Sequence, residues 1–276
     1  MNSFLAAAIQ MDSQANVTAN LSAAASMIEE AAGKGAKLIV LPETMPYIGR
    51  NYRQEAELVP RGRTVKALSE LAKKYRLWIN GGSLFERNSD NPERPFNTTF
   101  VIRPDGTFAA KYRKLHPFDV VLDSGVSSME SNYVCPGDRV VTVPTNEVGH
   151  LGLAVCYDTR FPEIFRIMAL KGAQLFTIPA NFTEDTGRAH WEVLLRARAI
   201  ENECYVIAAN QVGMKPRFTA YGHSMIIDPR GKILADAGER RGVIYAAIDL
   251  NLVGQVRRET FTLSNRRRDI YELKLK

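Results

Sequence analysis

Three short segments in the first half of the chain recur, in the same order, in the second half. Leu5-Ala-Ala-Ala-Ile-Gln-Met-Asp12 is echoed by Leu151-Gly-Leu-Ala-Val-Cys-Tyr-Asp158, and Gly35-Ala-Lys-Leu-Ile-Val-Leu-Pro42 by Gly172-Ala-Gln-Leu-Phe-Thr-Ile-Pro179. The turn Arg103-Pro104-Asp105-Gly106 has its counterpart in Asp228-Pro229-Arg230-Gly231. The offsets are 146, 137 and 125 residues. Ordered but unequal offsets point to two similar halves with different loop lengths. No Ser/Gly/Pro-rich linker or low-complexity tract separates them, so the halves are expected to pack as one body.

Each half reads as α/β. Phe4 to Gln10 is a continuous apolar run of strand length; Val17, Leu21, Ala25, Ile28 and Ala32 then recur at helical spacing until Gly33 offers a C-cap, and Leu38 to Leu41 is the next strand. A second helix is expected from about Thr64 to Tyr75, then a strand over Leu77 to Phe85 and a hairpin turning at Pro104-Asp105-Gly106. With 276 residues, 45% of them apolar, the chain can bury a large core, and 24% charge with a net +6 is far from the disordered regime. Most of the excess charge is local: residues 257 to 276 carry seven basic and three acidic side chains, or +4, which leaves +2 for everything before them. The body therefore lacks the basic bias of a nucleic-acid-binding domain. Three cysteines without CxxC spacing suggest neither a disulfide framework nor a zinc site, and fit a reducing, cytoplasmic setting. No Lys or Arg precedes Lys34 and no apolar run reaches membrane-spanning length, so neither a signal peptide nor a membrane span is expected.

In α/β proteins the loops at strand carboxyl ends open into the functional crevice. Three reactive side chains fall at such ends: Glu43 after Leu38-Ile-Val-Leu-Pro42, Lys114 after the hairpin strand ending at Tyr112, and Cys156 after Leu151 to Val155. Singly, each has a plainer reading, since free cysteines are usually inert and buried while Glu and Lys are usually solvated. Together they supply a base, a cation and a nucleophile, the minimum set for acyl transfer through a thioester. In that setting the thiol pKa is expected to be lowered. Cys135, before Pro136-Gly137, and Cys204, at the start of an apolar run, keep the structural reading. His190-Trp191-Glu192 has the H-x-E form of a zinc deaminase but no P-C-x-x-C partner, and neither a metal-ligand cluster nor a nucleotide fingerprint occurs. No cofactor and no metal are expected.

With those residues placed, the chain resembles the nitrilase (carbon–nitrogen hydrolase) superfamily over nearly its whole length. The resemblance rests on Leu41-Pro42-Glu43, on Tyr112-Arg113-Lys114-Leu115-His116, and on Gly152-Leu-Ala-Val-Cys156-Tyr-Asp158-Thr-Arg160-Phe-Pro162-Glu163. It implies a four-layer α-β-β-α sandwich with two pseudo-symmetric halves and a Glu43–Lys114–Cys156 triad. A second glutamate of the family falls at Glu130, and the backbone N–H of Tyr157 would join Lys114 at the oxyanion. Ala189-His-Trp-Glu-Val-Leu-Leu-Arg-Ala-Arg-Ala-Ile200-Glu201 and Tyr221-Gly-His-Ser-Met-Ile-Ile-Asp-Pro229 resemble the branch of deaminated glutathione amidases and omega-amidases. The implied reaction is hydrolysis of a linear, non-peptide amide. Nitrile or N-carbamoyl hydrolysis would use the same triad, and a non-catalytic scaffold of the same fold is the alternative from another class.

Thr44-Met45-Pro46-Tyr47 and Pro179-Ala180-Asn181-Phe182 depart from the branch's forms, which makes Asn181 and Phe182 candidates for substrate contact. An acidic substrate would need a cation, for which Arg160, Arg196 and Arg198 are candidates. Residues 1–256 are expected to form one hydrolase domain. The basic tail 257–276, with Phe261, Leu263, Ile270, Tyr271 and Leu273 among its charges, is expected to lie on a partner subunit of a homodimer or larger assembly.

Overall fold

The computed structural model describes residues 3–121 and 127–275. Its strands run in chain order as β1 (Ser3–Gln10), β2 (Ala36–Val40), β3 (Trp78–Glu86), β4 (Phe96–Ile102) and β5 (Phe108–Arg113). A small ribbon of β6 (Asp119–Val121) and β7 (Ser127–Met129) follows, then β8 (Thr142–Val143), β9 (Leu151–Leu153), β10 (Leu175–Ala180) and β11 (Tyr205–Asn210). A second ribbon, β12 (Val212–Met214) with β13 (Thr219–Tyr221), precedes β14 (Met225–Ile227), β15 (Ile233–Asp236) and β16 (Gly242–Asp249). The helices are α1 (Val17–Gly33), α2 (Arg63–Tyr75), α3 (Pro162–Leu170), the single turn α4 (Glu184–Thr186), α5 (Glu192–Asn202) and α6 (Leu250–Thr260).

Two six-stranded sheets carry the repeat. One has the order β16-β1-β2-β3-β4-β5 and the other, read from its opposite edge, β8-β9-β10-β11-β14-β15. In each, three adjacent strands are parallel and the outer ones antiparallel. The echoed sequences are therefore β1 with β9, β2 with β10, and the β4–β5 turn with the β14–β15 turn. Both turns use a glycine at positive φ, Gly106 at 84° and Gly231 at 81°.

Alternate residues of one strand enter different layers. Ala6, Ala8, Leu38 and Val40 face the second sheet, whereas Ala7, Ile9, Ile39 and Leu41 face α1 and α2 through Ala24, Ile28, Val65 and Leu68. Burial on both faces is why these strands read as unbroken apolar runs rather than alternating ones. On the other side α3 and α5 cover the second sheet with Phe165, Met168, Leu195 and Ala199. The expected four-layer α-β-β-α sandwich is thus the observed fold.

Two local details differ from expectation. Gly33 is the last residue of α1, not its cap; the chain turns two residues later, at Gly35, where φ is 83°. The boundary expected between residues 256 and 257 falls inside α6, whose Arg257 donates to the Ala173 carbonyl at 2.7 Å. Beyond Thr260 the tail is irregular, with Leu263 against the core and Ile270 and Tyr271 exposed.

Candidate active site

The parallel strands β2 and β10 end at one edge of the sandwich, and the segment after each contributes to a cavity of about 870 Å³. Glu43 is the third residue after β2 and is 4% exposed. Its position depends on a bulge in β3. Gly82 has φ of 68°, and a Cβ there would lie 2.1 Å from the Pro42 carbonyl oxygen, so only glycine lets the bulge press against the Glu43 loop. Ser83 then fixes the loop: its N–H donates to the Pro42 carbonyl at 3.2 Å, and its Oγ accepts from Thr44 N–H at 2.9 Å.

Lys114 follows β5 directly and is 2% exposed. Its Nζ donates to Glu43 Oε1 at 3.1 Å and to Glu130 Oε2 at 2.8 Å. Glu130 opens a short 3-10 turn after β7 and also accepts from the Phe118 N–H at 2.5 Å. Burial works against the ammonium charge, but the Glu130 and Glu43 carboxylates outweigh it and hold Lys114 well above the ordinary lysine range. One cation thus bridges two buried acids.

Cys156 has φ of 48°, a left-handed conformation that costs a residue with a Cβ on the order of 1–3 kcal/mol. It sits at the sharp turn from the β9 segment into the 3-10 turn Cys156–Arg160. Asp158 holds that turn in place. Its Oδ2 accepts from Val155 N–H at 2.9 Å and from the Tyr112 hydroxyl at 2.8 Å, while Oδ1 accepts from His116 N–H at 3.2 Å. The fully buried Asp158 carboxylate therefore joins the Cys156 turn to the residues flanking Lys114.

Burial, with Glu43 beside it, pushes the Cys156 thiol well above the ordinary thiol range, and Lys114 and the Asn181 backbone N–H offset this only in part. This reverses the lowered pKa expected from sequence. Burial and the neighbouring Glu43 thus favour the protonated thiol, and Lys114 and the Asn181 N–H favour the thiolate.

The remaining candidates separate clearly. Asn181 and Phe182, directly after β10, line the cavity. Tyr157 packs its ring against Phe118 and Phe161, and its backbone N–H lies at the start of the 3-10 turn, where such groups have no partner within the turn. Arg160 is not among the cavity-lining residues: its guanidinium lies 5.5 Å from the ring centroids of Tyr157 and Phe182 and 3.3 Å from His190 Nδ1. Arg196 donates to Gly231 O and Glu192, and the buried Arg198 to Thr159 O and Glu201, so both are structural and away from the cavity.

Sequence reasoning missed Asn97. This residue of β4 donates through Nδ2 to Glu43 Oε1 at 2.8 Å and lines the cavity. Its only sequence signal is an amide at the head of the polar stretch Asn97-Thr98-Thr99, between Phe96 and the apolar Phe100-Val101-Ile102. The buried Oδ1 atoms of Asn97 and Asn181 have no hydrogen-bond partner among the described residues. Also unforeseen were an aromatic wall of Tyr52, Phe85 and Tyr133, and the cations Arg50, Lys215 and Arg217. Among the described residues, no group of three or more His, Cys, Asp and Glu side chains could hold a metal ion.

The carbon-nitrogen hydrolase family matches the chain over residues 5–258. The chain is 40% identical over 270 residues to the nitrilase and fragile histidine triad fusion protein NitFhit of Caenorhabditis elegans, covering 97% of this chain but only 61% of that protein. It is 38% identical over 279 residues to omega-amidase NIT2 of Homo sapiens, covering 100% of this chain and 99% of the relative. With the deaminated glutathione amidase of Synechocystis sp. it shares 40% identity over 269 residues, 96% of this chain and 99% of the relative. The crystal structure of C. elegans NitFhit superposes with a TM-score of 0.92 at 38% identity, over 100% of this chain and 68% of that one. Two echoed α/β halves, a buried acid–lysine–thiol cluster beyond the ends of their strands and full-length similarity to these proteins lead to one conclusion: the chain belongs to the carbon–nitrogen hydrolase family, the nitrilase superfamily.

Proposed function

We propose that this protein is an amidase that hydrolyses a linear, non-peptide amide through a thioester on Cys156. The observation that carries the reading is the buried Lys114 ammonium held between Glu43 and Glu130, in the same cavity as the Cys156 thiol. Glu43 takes the thiol proton as Sγ bonds to the carbonyl carbon. The developing oxyanion is met by Lys114 Nζ and the Tyr157 N–H. Collapse breaks the carbon–nitrogen bond, and the amine leaves with the proton from Glu43. Water then enters, gives a proton to Glu43 and attacks the thioester, releasing the acid and restoring the thiol. Glu130 keeps Lys114 in place, and Asn97 holds Glu43 Oε1.

An amide suits the site better than a nitrile. The unpartnered acceptors on Asn97 and Asn181 call for N–H donors, which an amide nitrogen has and a nitrile lacks. The relatives named omega-amidase and deaminated glutathione amidase support the same choice. Asn181 and Phe182 contact the acyl part beside Cys156, and Arg160, over the Phe182 ring, is the nearest of the sequence-derived cations to it.

The working unit is a homodimer or larger, with residues 257–276 at the interface; Ile270 and Tyr271, 70% and 55% exposed, support this. Three cysteines without a disulfide support a reducing, cytoplasmic setting. Among the described residues no helix is long and apolar enough to cross a membrane.

The test is turnover by Cys156→Ala together with the intact mass of the wild-type protein mixed with a slowly hydrolysed amide. No ammonia release by the variant, and an acyl adduct on the Cys156 peptide of the wild type, are expected. Appreciable turnover by a folded Cys156→Ala protein overturns the covalent route.

A further inference from the structure

The backbone directly after Glu43 is strained. Thr44 has φ of 50°, a left-handed conformation that a β-branched side chain disfavours, so it persists only where surrounding contacts over-determine it. Ser83 supplies two of them, to the N–H groups of Thr44 and Met45. Others come from the opposite half of the molecule. Gln211 follows β11 and is fully buried. Its Nε2 donates to the Glu43 carbonyl and to Ser13 Oγ, both at 3.0 Å, while its Oε1 accepts from the Ser13 N–H at 3.0 Å. Ser13 Oγ in turn donates to the Met45 carbonyl at 2.8 Å. One side chain thus reaches the carbonyls on both sides of Thr44, the first directly and the second through Ser13.

The backbone of the same residue closes the arrangement. The Ala180 carbonyl accepts from the Gln211 N–H at 3.0 Å and from the Glu43 N–H at 3.3 Å. The N–H of that same peptide unit belongs to Asn181 and reaches the Cys156 thiol. Base, nucleophile and Gln211 therefore meet at one peptide at the end of β10. Gln211 itself is not among the residues lining the cavity, so whatever it does for the reaction passes through Glu43.

We propose that Gln211 is a positioning residue for the general base: it clamps the Glu43–Thr44 backbone in its left-handed turn and so sets where the Glu43 carboxylate stands against Lys114 and Cys156. The inference rests on the amidase reading above, in which Glu43 takes the thiol proton. A reacting group misplaced by about 1 Å can lose roughly 10²-fold in rate. Because Gln211 lies outside the cavity lining, that loss falls on kcat and leaves KM nearly unmoved.

The experiment compares two variants. Gln211→Met keeps most of the volume and removes every side-chain hydrogen bond of the clamp; its kcat should fall by roughly tenfold to 10²-fold, with KM within about threefold of wild type. Gln211→Glu keeps the shape, and its buried carboxyl resists ionisation, so the protonated form still donates one O–H in place of Nε2–H. The charges recorded beside it are the Glu43 carboxylate and Lys215, whose Nζ donates to Ser13 O at 3.2 Å and pairs with Asp12 at 2.7 Å. The kcat of Gln211→Glu relative to wild type should therefore be within about twofold near pH 6 and fall as pH rises towards about 9 and the last donor is lost. Undiminished kcat in Gln211→Met, or a Gln211→Glu ratio level across that range, overturns the positioning role. So does a raised KM at unchanged kcat, which would put Gln211 in substrate binding. Should Gln211→Met not fold, the pH dependence of Gln211→Glu decides alone. If the amidase reading itself fails and the wild type turns over no amide, a crystal structure of either variant still decides: Glu43 Oε1 should leave its 3.1 Å contact with Lys114 Nζ in Gln211→Met, or in Gln211→Glu at about pH 9 where its carboxyl is ionised, and an unmoved carboxylate refutes the inference.

Discussion

Replacing Lys114 by Met tests the site through stability and rate together. The side chain is 2% exposed and is the only basic partner recorded for Glu43 and Glu130 among the described residues. Met keeps most of the volume but leaves two carboxylates facing each other without their shared cation. Breaking a buried pair by removing one partner costs about 3–5 kcal/mol, and losing an oxyanion donor slows acylation by roughly 10²–10³-fold. The pH dependence has a definite sign. Lys114 has a raised pKa in the fold, so its contribution is complete below the unfolded value of about 10.4 and fades only as pH climbs through the raised folded one. Between about pH 5 and 8 the wild type therefore loses nothing from this group. Denaturant unfolding at several pH values, with single-turnover acylation at each, measures both effects. A variant within about 1 kcal/mol of wild type at every pH, acylating at an unchanged rate, would refute the bridging role.

Because Cys156 is buried, with its thiol pKa raised by that burial, and Cys135 is partly exposed, a simple alkylating reagent near neutral pH should label Cys135 ahead of Cys156, and an amide-mimicking electrophile should reverse that order; peptide mapping reads the outcome, and rapid generic labelling of Cys156 would refute the effect of burial on the thiol. Asn97→Asp puts a second carboxylate against Glu43 Oε1, so the acid limb of the kcat/KM profile should move to higher pH and the plateau should fall, with an unmoved limb arguing that Asn97 only fills space. Removing residues 266–276 leaves α6 and the Glu203 contacts to Thr260 and Thr262 in place, so the protein should fold but associate more weakly in sedimentation, and an undiminished assembly would place the interface elsewhere.

The protein's sequence determined its layers. Strands buried on both faces are mostly apolar, helices buried on one face repeat their apolar residues at helical spacing, and these two hairpin turns use glycine at positive φ, so each of these is written within about ten neighbouring residues. The echo of β1, β2 and the β4–β5 turn in β9, β10 and the β14–β15 turn added the pseudo-symmetry by the same local means. The reactive trio was legible for a related reason, since strand carboxyl ends are where α/β sheets present side chains. Its members are 71 residues apart for Glu43 and Lys114, however, and only the order of strands in the sheets brings Nζ to 3.1 Å from Oε1. Tertiary structure alone decided that Asn97 touches Glu43 and that Arg50 and Arg217 face the cavity while Arg196 and Arg198 do not. It also decided the direction in which the Cys156 thiol pKa moves. A thiol's pKa sums burial against every nearby charge, and burial together with Glu43 exceeds the pull of Lys114, a balance that no run of neighbouring residues encodes.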